Sequence, residues 1–260
     1  MLGHDLQGQG ARGVIVLNDW LCDTSTWDGA RAYLDGGRFT YAFADLRGYG
    51  RSKEQAGSFT IEEAAADVLA LADALGWRRF AIVGHSMSSL IALHLGQHAP
   101  DRIERVVVLT PPPPAGMGAD DATLAYLHAA ARADDETRLK TMRHLNGGRL
   151  SEGWTAFKAA RWRATANPEA VAAYATMYAR RGLPEPTKKI AAPILAVTGE
   201  KDAEPMRRAP VSKLLAPLAE GDLTVVAIAE SGHYPMQEAP PLLVAIVERF
   251  LAADPTRATA

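Results

Sequence analysis

The 260-residue chain has one cysteine, Cys22. A lone thiol excludes an internal disulfide and a cysteine-rich metal site. Long apolar runs are missing too. The longest uncharged stretch, residues 80–100, carries three histidines, two glycines and three serines, whereas a membrane span needs about 20 predominantly apolar residues. Neither sign of charge is in excess: 28 basic residues face 30 acidic ones, a net charge of −2. No whole-chain field therefore points to nucleic acid or an anionic membrane. Basic pairs such as Arg78-Arg79, Arg180-Arg181 and Lys188-Lys189 are scattered and read as solvated surface. The opening MLGHDLQGQGARG lacks the basic start and apolar core of a signal peptide. These absences leave a cytoplasmic enzyme or binding protein as the expectation, with no nucleic-acid or membrane partner.

Strand-like and helix-like segments alternate. VIVLN (14–18), FTYAFA (39–44), FAIV (80–83), VVVLT (106–110), PILAVTG (193–199) and LTVVAI (223–228) read as strands. They are apolar throughout rather than alternating, which suits central strands of a parallel sheet covered on both faces. Residues 61–75 have helical spacing, with Thr60 as N-cap and Gly76 as stop, and residues 87–98 and 240–253 also read as helices. The alternation predicts a doubly wound, mostly parallel α/β sheet. From about 120 to 187 no strand is evident, and Ala, Arg, Trp, Tyr and Met fill several helix-length pieces. That segment, too long for a loop, reads as a helical cap (120–187) inserted into a core of residues 1–119 and 188–260. The sequence has no repeat, and its low complexity is confined to the tetraproline at 111–114.

GHSMSS (84–89) follows the strand FAIV and precedes a helix. A serine on a strained strand-to-helix turn can present its hydroxyl as a nucleophile, provided that its neighbours two positions away are small. Around Ser86 these are Gly84 and Ser88. Such a nucleophile also needs a base and a group that orients the base. Asp202 follows the strand ILAVT in GEKD, and His233 follows LTVVAI in SGH. Both sit where catalytic groups of open α/β sheets gather, outside the carboxyl ends of strands, and the order Ser…Asp…His is the one this architecture imposes. The same pattern without chemistry would be a helix-capping serine and two incidental loop residues.

DLRGYGRS (45–52), GHSMSS (84–89), PDRIERVVVLTP (100–111), PILAVTGEKD (193–202) and SGHYPMQEAP (231–240) together resemble the α/β-hydrolase fold superfamily, in particular its small cap-bearing esterases and lactonases. The resemblance spans nearly the whole chain. It implies Ser86 as nucleophile, His233 as base and Asp202 as its orienter, with the backbone N–H groups of Trp20 and Met87 as oxyanion hole. It further implies cofactor-free, metal-free hydrolysis of a carboxylic ester or lactone through an acyl-enzyme, and the apolar, aromatic composition of the cap suggests a small to medium apolar or aromatic substrate. A cofactor-free dioxygenase on the same fold also places Trp where Trp20 stands. Its carboxylate would follow the preceding strand, where this chain has Thr110-Pro111. Carbon–carbon bond hydrolysis uses the same triad, and a ligand-binding protein that retains the triad is the non-enzymatic alternative. A monomer or a homodimer fits either class.

The chain departs from that pattern where Asn18-Asp19 replaces the usual His-Gly before the oxyanion residue. Asp19 could place a carboxylate near the oxyanion hole; the plainer expectation is that it turns into its own loop, near Thr24 or Ser25. The short N-terminus predicts that the antiparallel hairpin opening this fold is abbreviated or absent. Candidate pocket residues are Asp19, Met117, Trp154, Trp162 and Tyr178, with Phe157, Tyr174 and Met177 as further cap candidates. The arginines 161, 163, 180 and 181 leave room for an acidic substrate group. GQGARG (8–13) precedes a strand rather than following one, so it is a turn and no dinucleotide fingerprint. His94 and His98 lack a third ligand and read as surface histidines.

Overall fold

A computed structural model of the chain describes residues 1–253. Seven strands form one sheet in the order β1-β3-β2-β4-β5-β6-β7. They are β1 (His4–Gln7), β2 (Arg12–Leu17), β3 (Phe39–Ala44), β4 (Phe80–His85), β5 (Ile103–Leu109), β6 (Ile194–Gly199) and β7 (Leu223–Ile228). All neighbours run parallel except β1, which is antiparallel to β3. At this edge of the sheet the antiparallel pairing is made by one four-residue strand, β1. Leu6 is the sole apolar residue of β1, so hydrophobic pattern could not reveal it.

Ten α-helices accompany the sheet among the described residues: α1 (Asp28–Arg31), α2 (Ile61–Ala74), α3 (Ser88–His98), α4 (Asp121–Ala130), α5 (Asp135–Asn146), α6 (Glu152–Thr165), α7 (Pro168–Thr176), α8 (Arg208–Leu215), α9 (Pro235–Glu238) and α10 (Pro240–Ala252). The uninterrupted apolar strands follow from burial on both faces. Successive side chains of a strand point to opposite sides. Ile15, Leu17, Ile82, Val106 and Val108 thus join one core with residues of α2, α3 and α8. Val14, Val16, Val83, Val107 and Leu109 join a second core with α10. The run LTVVAI departs from this expectation: β7 is an edge strand, and of its residues only Ile228 is buried.

Start and stop signals act as read. Thr60 accepts from Glu63 N in front of α2, and Gly76 takes a φ of +71° behind it. Four helices, α4 to α7, occupy the segment between β5 and β6. No helix among the described residues is long and apolar enough to cross a membrane.

The strand order reverses between β2 and β4, since β3 lies on one side of β2 and β4 on the other. Crevices at such switch points, outside the carboxyl ends of the strands, are where open α/β sheets bind ligands. The loop after β2 carries Trp20, and the turn after β4 carries Ser86. Asp45, just after β3, braces this end of the sheet. It is fully buried, one carboxylate oxygen accepting from Thr24 N and Oγ1 at 2.8 and 2.9 Å, the other from Arg51 N and Nη1 at 3.1 and 3.2 Å. Asp45→Ala strands these donors and is expected to cost about 3 kcal/mol, with Asp45→Asn costing about half as much. Urea unfolding checks this as a lowered midpoint with an unchanged slope.

Candidate active site

Ser86 sits at a φ of +53°, in the left-handed region, between β4 and α3. Its N–H donates to Leu109 O at 2.8 Å, which ties the turn to β5. Gly84 permits the strand and helix to meet: a Cβ there would lie 2.4 Å from Ser88 O. Ser88 does more than tolerate crowding. Its Oγ accepts from His85 N at 2.9 Å and lies 3.1 Å from His85 O, closing the turn on itself.

His233 and Asp202 converge on this serine. His233 Nδ1 lies 3.0 Å from Asp202 Oδ2, and Nε2 lies 2.9 Å from Ser86 Oγ. A carboxylate only accepts, so Nδ1 carries the proton and Nε2 is left to accept from the serine hydroxyl. Burial alone would hold His233 below its ordinary value. The Asp202 carboxylate, by charge and hydrogen bond, more than offsets this and raises it, with Asp19 and Glu238 adding to the effect. Burial pushes Asp202 up, but His233 and the Ala203 N–H bring it below the usual carboxylate value. Such a line lets the hydroxyl pass its proton to the imidazole while the carboxylate balances the resulting charge.

Three residues to which the sequence analysis gave no role hold the His233 loop. Glu238, at the end of α9, accepts from Gly232 N at 2.6 Å and Tyr234 N at 3.0 Å, and from Arg149 Nε at 2.8 Å. His85 Nε2 lies 2.7 Å from His233 O, so that nitrogen carries a proton and donates; Thr110 Oγ1 donates to the same carbonyl at 3.3 Å. The available signal for Glu238 was its place in SGHYPMQE, one short helix beyond the histidine.

The loop after β2 resolves the Asn18-Asp19 question. Neither residue has a positive φ, so the lost glycine was not needed for backbone shape. Asn18 Nδ2 donates to Asp19 O and Cys22 O, and its Oδ1 accepts from Leu46 N. Asp19 Oδ1 accepts from Leu21 N at 3.0 Å and Cys22 N at 2.9 Å, while Oδ2 pairs with Lys158 Nζ at 3.2 Å. The carboxylate turns into its loop as expected, but not toward Thr24 and Ser25, which Asp45 and Asp23 hold. Burial pushes Asp19 up; Lys158, His85 and the Cys22 N–H together bring it below its ordinary value. Trp20 is anchored at both ends: its indole donates to Val171 O at 2.8 Å, and its carbonyl accepts from the Tyr49 hydroxyl at 2.6 Å.

A cavity of about 670 Å³ opens at Ser86, His233 and Asp202. Asp19, Trp20 and Tyr178 line it, together with Tyr126 and Leu127 of α4, Lys140, His144 and Leu145 of α5, and Met206. Met87 is fully buried behind Ser86. Three of the five candidate pocket residues lie elsewhere, as do Phe157, Tyr174 and Met177. Met117 is exposed outside the lining; Trp162 is buried in the core beneath Arg138. Trp154 donates to Gln237 Oε1 and packs edge-on against Tyr234. The expected arginines are also absent from the cavity. Arg161 pairs with Asp23, Arg163 with Asp135 and Arg180 with Asp121, and Arg181 lines a separate groove. His94 is buried and stacks on His98 at 4.2 Å rather than standing at the surface. Among the described residues no three His, Cys, Asp or Glu side chains gather as metal ligands would.

A family model described as alpha/beta hydrolase fold matches residues 25–234. The chain is 31% identical over 108 residues to 3-oxoadipate enol-lactonase 2 of Acinetobacter baylyi, a match spanning 41% of this chain and 40% of that protein. Among solved structures, the enol-lactonase from Burkholderia xenovorans LB400 superposes with a TM-score of 0.81 at 25% identity, covering 97% of this chain and 96% of that one. A bromoperoxidase from Bacillus anthracis gives a TM-score of 0.85 at 19% identity, covering 96% and 95%; that likeness is one of fold.

Burial, and the nearby charge of His233, push His85 down from 6.5 to about 4. An unfolded chain takes up a proton at this position near the ordinary value, so between the two values it holds more protons than the folded one. Stability therefore rises with pH across this window and is lost as pH falls through it. Full loss amounts to about 3 kcal/mol. Melting curves across this range should show the wild type losing more stability in acid than His85→Gln, which keeps an N–H for the His233 carbonyl.

Proposed function

Because the chain belongs to the alpha/beta hydrolase fold family, we propose that it is a serine hydrolase cleaving a carboxylic ester or lactone. The observation that carries this reading is the hydrogen-bonded line Ser86–His233–Asp202, at 2.9 and 3.0 Å, opening on the cavity. In this mechanism His233 Nε2 takes the Ser86 proton as Oγ attacks the substrate carbonyl. Asp202 keeps the imidazole in the right tautomer and stabilises its positive charge. The backbone N–H groups of Met87 and Trp20 receive the negative oxygen, a contribution typically on the order of 10²–10³ in rate per donor. His233 then hands its proton to the departing alkoxide, and water, activated by the same imidazole, cleaves the acyl-enzyme. In a lactone the alkoxide stays attached to the acyl group.

We assign residues 120–187 as a cap on a core formed by 1–119 and 188–260. What supports this is that α4 and α5 supply one wall of the cavity and the strand-end loops the other. The wall residues Trp20, Leu21, Tyr126, Leu127, Tyr178 and Tyr234 favour an apolar or aromatic acyl or alcohol group of small to medium size.

A fluorophosphonate probe tests the nucleophile: rapid labelling of the intact protein, abolished in Ser86→Ala, is expected, and an unlabelled wild type would sink the hydrolase reading. Rates across aryl esters of increasing acyl length then define the pocket. Because Asp202 raises His233 and the mechanism needs the neutral imidazole, kcat/KM should climb with pH through a midpoint above the ordinary 6.5. A midpoint clearly below that value would contradict the Asp202–His233 assignment.

A further inference from the structure

Beside the loop that carries Trp20 lies a buried charge pair that the proposed reaction does not use. Lys158, on α6, is 0% exposed. Its Nζ lies 3.2 Å from Asp19 Oδ2, 2.8 Å from Thr26 Oγ1 and 4.8 Å from the centre of the Tyr234 ring. Burial opposes its charge, yet Asp19 and Cys22 more than offset that effect and raise it above its ordinary value. Asp19, only 3% exposed, forms part of the same cavity wall as Ser86.

The pair is one of several ties that hold α6 to the rest of the fold. Arg161 of α6 also pairs with Asp23, and Lys53 Nζ reaches Ala164 O. It is not an economical way to fill the core, since apolar residues of similar volume often do as well or better than a buried ion pair. Its chemical consequence is electrostatic. Asp19 staples the Trp20 loop by accepting from Leu21 and Cys22, but unpaired it would put a negative charge in the wall where substrate oxygen becomes negative. In a site shielded from water, such like charges repel strongly.

We propose that Lys158 is a positioning residue: its ammonium cancels the Asp19 charge, so the carboxylate can hold the oxyanion loop without opposing the oxyanion. This rests on the hydrolase reading above. Lys158 acts through Asp19 and touches no reacting atom.

The test uses the full chain, p-nitrophenyl acetate as substrate, and assays at about pH 8.5, well above the usual carboxylate range. Melting temperature is recorded for each variant. Lys158→Met removes the charge and the donors; Lys158→Gln removes the charge but keeps a donor for Asp19 and Thr26, and carries the test where the first variant fails to fold. Both are expected to lower kcat on the order of 10- to 100-fold while KM moves less than about threefold. Adding Asp19→Asn to either should restore kcat by about fivefold or more, because the amide oxygen still accepts from the loop N–H groups without a charge. Wild-type kcat in Lys158→Gln, or no recovery in the double variants, would mean a merely structural lysine and overturn the proposal. A wild-type protein that hydrolyses no ester and takes no fluorophosphonate would overturn the hydrolase reading, and this proposal with it. An active wild type with unaffected lysine variants overturns this proposal alone.

Discussion

Between β4 and α3 the backbone at Ser86 is held at a φ of +53°, a region that side chains enter only with strain. The surroundings keep it there. The serine N–H is tied to β5, Gly84 leaves room for the helix, and the Ser88 hydroxyl clasps His85. Two paired, buried strands, β4 and β5, fix the position from which the serine hydroxyl emerges. The rest of the candidate site is arranged to meet that one oxygen.

Two further sets of contacts bring their loops to it. The His233 loop is clamped through its backbone: Glu238 receives two of its N–H groups, and His85 and Thr110 donate to the His233 carbonyl. His85 therefore joins the serine turn directly to the histidine loop, which explains why a residue beside the serine is fully buried and neutral. On the opposite side, Asn18 and Asp19 direct their side chains inward and hold the Trp20 loop from within. A dipeptide that looked like the loss of a flexible glycine works as a pair of internal caps, and Lys158 supplies the countercharge from another helix.

Much of this was legible in the chain because local chemistry decided it. Apolar strands buried on both faces, a Thr60 cap and small residues flanking Ser86 follow from periodicity and sterics, and they act within a few positions. Local pattern does not decide placement where partners are remote. LTVVAI has the composition of a central strand, but strand order put it at an edge. Trp154 and Trp162 are aromatic and belong to the helical segment, yet helix packing turned them to Gln237 and the core. The arginines expected to meet an acidic substrate found Asp23, Asp135 and Asp121 instead.

By itself, then, the sequence determined the sheet class, the strained serine turn and the chain order of the three polar residues at strand ends, because each is set by short-range geometry. Tertiary structure alone decided which side chains face the cavity, where Asp19 points and that Lys158 meets it. Those outcomes depend on residues 139 positions apart being brought within 3.2 Å, and no local pattern encodes such a meeting.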